Sequence, residues 1–209
     1  MPALGGTPRR IAKEGNFPSW SPDGTKIVFA RNRIGLFEVA ASGGDVREIK
    51  LPNAPRANYY PAYSSDARWV FFEDPTNGIS AVPVTGGAVQ QIATGRHPIW
   101  DASSQAVIYS DSREGNNHSL WSVPFSTKEG KPSGTPRALT IGRGRDWQAA
   151  VSKDGKLVAF TAIPGRLQPG IRSVRRGSGP RPRLSTHVDD GQSSQLFHAL
   201  LSGWSISRL

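Results

Sequence analysis

Four dipeptides carry the residue types best suited to recognising a ligand: Asn16-Phe17, Tyr59-Tyr60, Arg96-His97 and Trp147-Gln148. In the first three a proline follows at once, and two residues after it comes another aromatic. Aromatic rings offer rigid stacking area, and arginine adds charge with a planar fork of donors. Such a set suits a peptide or a small ligand. The same rings would also serve as packing between neighbouring elements. Residue types alone leave both readings open.

Catalytic chemistry finds less support. The Gly-x-Ser-x-Gly elbow, the His-Glu-x-x-His pair and the phosphate-binding loop are all absent from the 209 residues. The absence of cysteine removes a thiol nucleophile and any thiolate metal site. Ser185, His187 and Asp189 lie close in sequence, but a triad needs convergence on a rigid scaffold. His97, His118, His187 and His198 lack metal-ligand spacing. Asp111, Glu114, Asn116 and Asn117 have oxygen ligands for a hard cation, in a stretch that reads more simply as a solvated hairpin loop. The expectation is a non-enzyme with no catalytic residues, no metal and no cofactor.

The net charge of +10 raises the question of a polyanionic partner. Half of that excess falls in residues 164–209, where Arg172, Arg175, Arg176, Arg181 and Arg183 cluster. The cluster has no interleaved aromatics and matches no nucleic-acid module, so it reads as a solvated basic segment. Nucleic acid is not an expected partner. No apolar run approaches the ~20 residues of a membrane span, and residues 1–15 lack the apolar stretch of a secretory leader. The compartment stays open, cytoplasmic or periplasmic.

The elements that position these residues repeat. Pro18-Ser19-Trp20-Ser21-Pro22-Asp23-Gly24 runs into Ile27-Val28-Phe29-Ala30, and Pro61-Ala62-Tyr63-Ser64-Ser65-Asp66-Ala67 into Trp69-Val70-Phe71-Phe72. Pro98-Ile99-Trp100-Asp101 leads to Ala106-Val107-Ile108-Tyr109, and Val151-Ser152-Lys153-Asp154-Gly155 to Leu157-Val158-Ala159-Phe160. From Trp20 the marker returns after 43, 37 and 51 residues. A second marker keeps step, with Val39-Ala40-Ala41-Ser42-Gly43-Gly44 matching Val82-Pro83-Val84-Thr85-Gly86-Gly87. Asp-Gly supplies a tight turn, and the short flanks rich in Val, Ile and aromatics predict strands. A period near 40 with about four strands is the pattern of propeller blades. Trp20, Tyr63 and Trp100 are expected to fill the seams between blades.

The segment 18–30 resembles the TolB-like propeller repeat, a relative of the WD repeat, as does Gly5-Gly6-Thr7-Pro8-Arg9-Arg10-Ile11. The resemblance implies an all-β chain: a β-propeller, incomplete or open, of about four blades of four short antiparallel strands. Residues 1–163 would form the blades, extendable to 176. Residues 164–209 would form an irregular basic tail with a short helix near 193–204. In such a fold the innermost strands begin beside a central channel. Phe17, Tyr60, Arg96, His97 and Trp147 would then ring its mouth.

Residues 1–6 align with 82–87, so the chain reads as a fragment that begins inside an outer strand. A changed reading frame after about Gly165 or a divergent last blade would account for the tail. The functional expectation is a sensor or scaffold that binds a protein, peptide or small ligand. The resemblance suggests part of a bacterial signalling protein, such as a serine/threonine kinase or a transcriptional regulator. The alternative is the propeller of a prolyl-oligopeptidase-like hydrolase without its catalytic domain. Open blade faces would also permit self-association.

Overall fold

The computed structural model describes residues 5–31, 34–52, 59–114, 117–140, 144–164 and 170–175. Each repeat unit folds as an antiparallel sheet whose strands follow chain order. The first holds β1 (Asn16–Trp20), β2 (Lys26–Arg31), β3 (Gly35–Ala40) and β4 (Arg47–Ile49). The second holds β5 (Tyr59–Tyr63), β6 (Trp69–Asp74), β7 (Gly78–Pro83) and β8 (Gln90–Ala93). The third is built on β9 (Arg96–Asp101), β10 (Ala106–Glu114) and β11 (Asn117–Ser126), with two-residue strands β12 (Lys131–Pro132) and β13 (Arg137–Ala138) beside β11. The fourth comprises β14 (Gly144–Val151), β15 (Leu157–Pro164) and β16 (Gly170–Arg175). One parallel bridge, His118 to Arg145, joins the third sheet to the fourth.

The central strands of the second and third sheets are apolar on both pleat faces because a neighbouring sheet covers each side. Val28, Ala30, Leu36 and Ile49 of the first sheet pack on Tyr63, Val70, Phe72 and Val82 of the second. Phe71, Ile79, Ala81 and Ile92 pack on Val107, Tyr109 and Val123 of the third, and Trp100 stacks on Phe71 at 5.2 Å. Ile108 and Leu120 meet Val158 and Phe160 of the fourth. Tyr63 and Trp100 therefore fill seams as expected. Trp20 does not: it is 57% exposed, because no described sheet lies beyond the first.

The Ser-x-Asp sequence of the turns has a local cause. Ser21 Oγ donates to Asp23 Oδ1 at 2.6 Å and accepts the Lys26 N–H at 2.9 Å, closing the β1–β2 hairpin. Ser64 and Ser152 repeat both bonds. In the third unit Asp101 takes the serine's place and accepts from Ser103 N, Ser103 Oγ and Ser104 Oγ. The turn survives the loss of Asp-Gly by reversing donor and acceptor.

The strand β16 covers 170–175 and pairs with β15 as the third strand of the fourth sheet. The expected helix near 193–204, the Ser185, His187 and Asp189 set, and Arg176, Arg181 and Arg183 lie outside the described residues.

Candidate functional site

The four dipeptides begin, or lie within, the first strand of each sheet. In every case the second residue has a left-handed backbone although it is not glycine: Phe17 (φ 54), Tyr60 (φ 51), His97 (φ 54) and Gln148 (φ 48). Each coincides with a break in register, between Asn16 and Ser19, Tyr59 and Ala62, Ile108 and Ser110 opposite β9, and Trp147 and Ala150. A bulge of this kind costs local strain and re-aims a side chain out of the pleat alternation.

The rings of these dipeptides meet one another across units. Phe17 and Tyr60 lie 4.1 Å apart, Tyr60 and His97 4.2 Å and nearly perpendicular, and His97 and Trp147 5.4 Å. Trp147 in turn stacks on His118 at 4.4 Å. The result is a continuous aromatic arc along one end of the four sheets. Phe17, Tyr60, His97 and Trp147 are thus brought together. Arg96 stands apart from the ring contacts and lines an adjoining polar groove. Gln148, present in the column but not singled out from sequence, comes close enough to Tyr60 to influence its ionisation.

That groove, about 490 Å³, is bounded by Tyr59, Glu73, Arg96, Asp111 and His118. Glu73 is buried, and its Oε2 accepts the His97 N–H at 3.1 Å. Burial pushes the Glu73 carboxyl above its ordinary range, against the pull of that bond and of Arg96. Asp111 accepts from Thr94 Oγ1 and from Ser112 N, both at 2.8 Å. Burial, aided by the charges of Arg96 and His118, lowers His97 to about 4, so its imidazole is neutral at neutral pH. Burial likewise lowers His118, with Arg145 and Arg96 adding to it. Among the described residues, neither Nδ1 of His97 nor Nε1 of Trp147 has a hydrogen-bond partner.

Sequence reading found the column but not the groove. Glu73, Thr94 and Asp111 come from strand ends and loops with no shared motif. Of the proposed cation loop, Asp111 faces the groove, Glu114 pairs with Asn117 across the β10–β11 hairpin, and Asn116 lies outside the described residues. Among the described residues no group of three or more His, Asp or Glu converges to hold a metal. Among the described residues, too, no helix is long and apolar enough to cross a membrane.

Consecutive antiparallel sheets stack face to face, with the starts of their first strands gathered at one end, and this all-β fold is TolB-like and of the propeller type by its likeness to solved structures. The chain is similar to TolB from Acinetobacter baumannii, with a TM-score of 0.64 and 19% identity over 81% of this chain and 42% of that one. It also resembles an oligogalacturonate lyase from Vibrio parahaemolyticus, with a TM-score of 0.55 and 13% identity over 78% and 51% of the two chains. By sequence, an uncharacterized protein of Agrobacterium fabrum, Atu1656, is 33% identical over 108 residues, 48% of this chain and 36% of that protein. The chain thus spans little more than a third of that curated relative. No family model matches.

Proposed function

We propose that this chain is a non-enzymatic, propeller-type binding module that takes a peptide or an exposed protein segment across the aromatic arc. In this reading the four sheets are consecutive blades, and the arc lies at the mouth of the channel they surround. The fold itself does not choose an activity, since it is shared by TolB and a lyase. The observation that carries the reading is the run of left-handed, non-glycine residues at Phe17, Tyr60, His97 and Gln148. Ordinary seam packing needs no such strain, as the well-packed seam residues Tyr63 and Trp100 show by their absence from the left-handed set. Strain repeated at one rim fits a surface shaped for recognition. The rings supply stacking area, and Arg96, Glu73 and Asp111 beside them supply polar anchors.

The test selects random peptides from a phage-displayed library on the intact chain. Selected peptides are then titrated by fluorescence polarisation against wild type, Tyr60→Ala and Trp147→Ala, with thermal unfolding in parallel. The expected result is an affinity loss of about tenfold or more in each variant with little change in Tm. A lowered Tm with unchanged affinity would instead assign the rings to packing and overturn the proposal.

A further inference from the structure

We propose that the groove between the second and third sheets takes a cationic side chain, the lysine or arginine of a peptide that lies across the aromatic arc. The inference rests on the peptide reading of that arc and names what the peptide must carry. Residues of β6 and the loop after it line one side of the groove, and residues of β9 and β10 the other.

The charge of the groove is opposite in sign to that of the chain. The described residues that line it bring the carboxylates of Glu73, Asp74 and Asp111 against the guanidinium of Arg96. The whole chain is +10. An acidic recess in a basic protein concentrates cations where the surrounding surface repels them.

Two of the carboxylates are engaged in local structure. Asp74 accepts from the Thr76 N–H at 2.8 Å and from Asn77 Nδ2 at 2.9 Å, which builds the β6–β7 loop. Asp111 accepts from Thr94 Oγ1 and from Ser112 N, which ties β10 to the segment before β9. Glu73 differs. Only 8% of it is exposed. Its Oε2 accepts the His97 N–H at 3.1 Å, and among the described residues its Oε1 accepts no hydrogen bond. A buried carboxylate costs free energy unless donors replace the water it has lost. Burial leaves this carboxyl above its ordinary range, so the His97 bond and the charge of Arg96 do not make up that loss. A ligand seated in the groove that Glu73 lines would supply the missing donor.

That donor is organic rather than a metal ion. Among the described residues no three His, Asp or Glu side chains converge to hold one. A guanidinium or an ammonium on a long stem can instead meet separated acceptors through several N–H groups. The Tyr59 ring in the groove wall offers the stem an apolar surface and the head a cation–π contact. The groove also adjoins the arc. Tyr59 precedes Tyr60, Arg96 precedes His97, and His118 stacks on Trp147. A peptide residue beside one stacked on the arc can therefore reach it.

The probes are the Nα-acetyl methylamides of arginine, lysine, norleucine and glutamate, titrated into the full chain at neutral pH and followed by amide NMR. The two basic probes are expected to shift the Gly95, His97 and Ser112 amides saturably, and the other two are not. Glu73→Gln should weaken binding of the arginine probe about tenfold. Arg96 is exposed and repels the same cation, so Arg96→Gln should tighten binding about threefold. No saturable shift from either basic probe, an equal response to norleucine or glutamate, or a stronger response to calcium chloride would overturn the proposal. If Glu73→Gln lowers Tm, Arg96→Gln decides, and unchanged or weaker binding there overturns it. The probes need only the groove, so they report whether or not the arc selects peptides. Failed probes alongside selected peptides that lose affinity in Tyr60→Ala would overturn this inference and leave the arc reading standing.

Discussion

Replacing Tyr63 by phenylalanine removes one oxygen from the seam between the first two sheets and leaves the ring packing in place. That oxygen donates to Glu38 Oε1 at 2.8 Å. Glu38 is only 5% exposed, and its other donors are Arg47 Nη2 at 2.8 Å and Lys26 Nζ at 3.1 Å. Both cationic side chains are about half exposed, so solvent screens them. Tyr63 is the donor that water cannot easily replace. A hydrogen bond to a charged group is worth about 1.5–3 kcal/mol. With Arg47 and Lys26 remaining, the lower part of that range applies, about 1.5–2 kcal/mol. For a chain of this size that corresponds to a fall in Tm of about 3–8 °C.

The pH dependence has a definite sign. Burial works to raise the Glu38 carboxyl, but hydrogen bonds from Arg47, Tyr63 and Lys26 outweigh it and hold it below its usual range. A depressed carboxyl stabilises the fold above its unfolded value of about 4.3, and that contribution fades as pH falls through the lower folded value. The Tyr63→Phe penalty should therefore shrink in acid, and also in a Glu38→Gln background. The assay is urea unfolding of wild type, both single variants and the double variant at neutral pH, arranged as a double-mutant cycle. A Tyr63→Phe cost below about 0.5 kcal/mol would refute the reasoning, because surface changes of no consequence give as much. A full cost retained in the Glu38→Gln background would refute it equally.

Three further outcomes are expected. Ala67 (φ 54) occupies the turn position where Gly24 and Gly155 stand in other units, and Gln105 (φ 49), one residue further along its own turn, shares the left-handed backbone, so Ala67→Gly and Gln105→Gly should each stabilise by about 0.5–1 kcal/mol in chemical denaturation. Gly95→Ala should destabilise by more than about 2 kcal/mol, because the new Cβ would lie 2.6 Å from the Ser110 carbonyl oxygen at a φ of +124°. His97 is held near 4 against an ordinary value of 6.5, so between these values the unfolded chain binds more protons and stability falls as pH drops. His97→Phe should flatten that part of a stability-against-pH curve.

The period of the repeat, the strands and their turns were legible because they are local. Alternation of apolar residues, the Ser-x-Asp staple and the Gly-Gly turns depend on neighbours a few residues away. The column of dipeptides that holds Phe17, Tyr60, His97 and Trp147 was also visible, since a repeat places equivalent residues at equivalent points. Tertiary structure decided what each copy does. Trp20 and Tyr63 are the same residue of the repeat, yet one is 57% exposed and the other 6%. Burial in a stack is conferred by the adjacent sheet, and sequence position within a unit does not reveal whether one is there. The left-handed φ of Tyr60 and His97 belongs to bulges in the paired strands, and the meeting of Glu73 with His97 joins residues 24 apart in the chain. Strain and long-range hydrogen bonds leave no periodic trace in the chain.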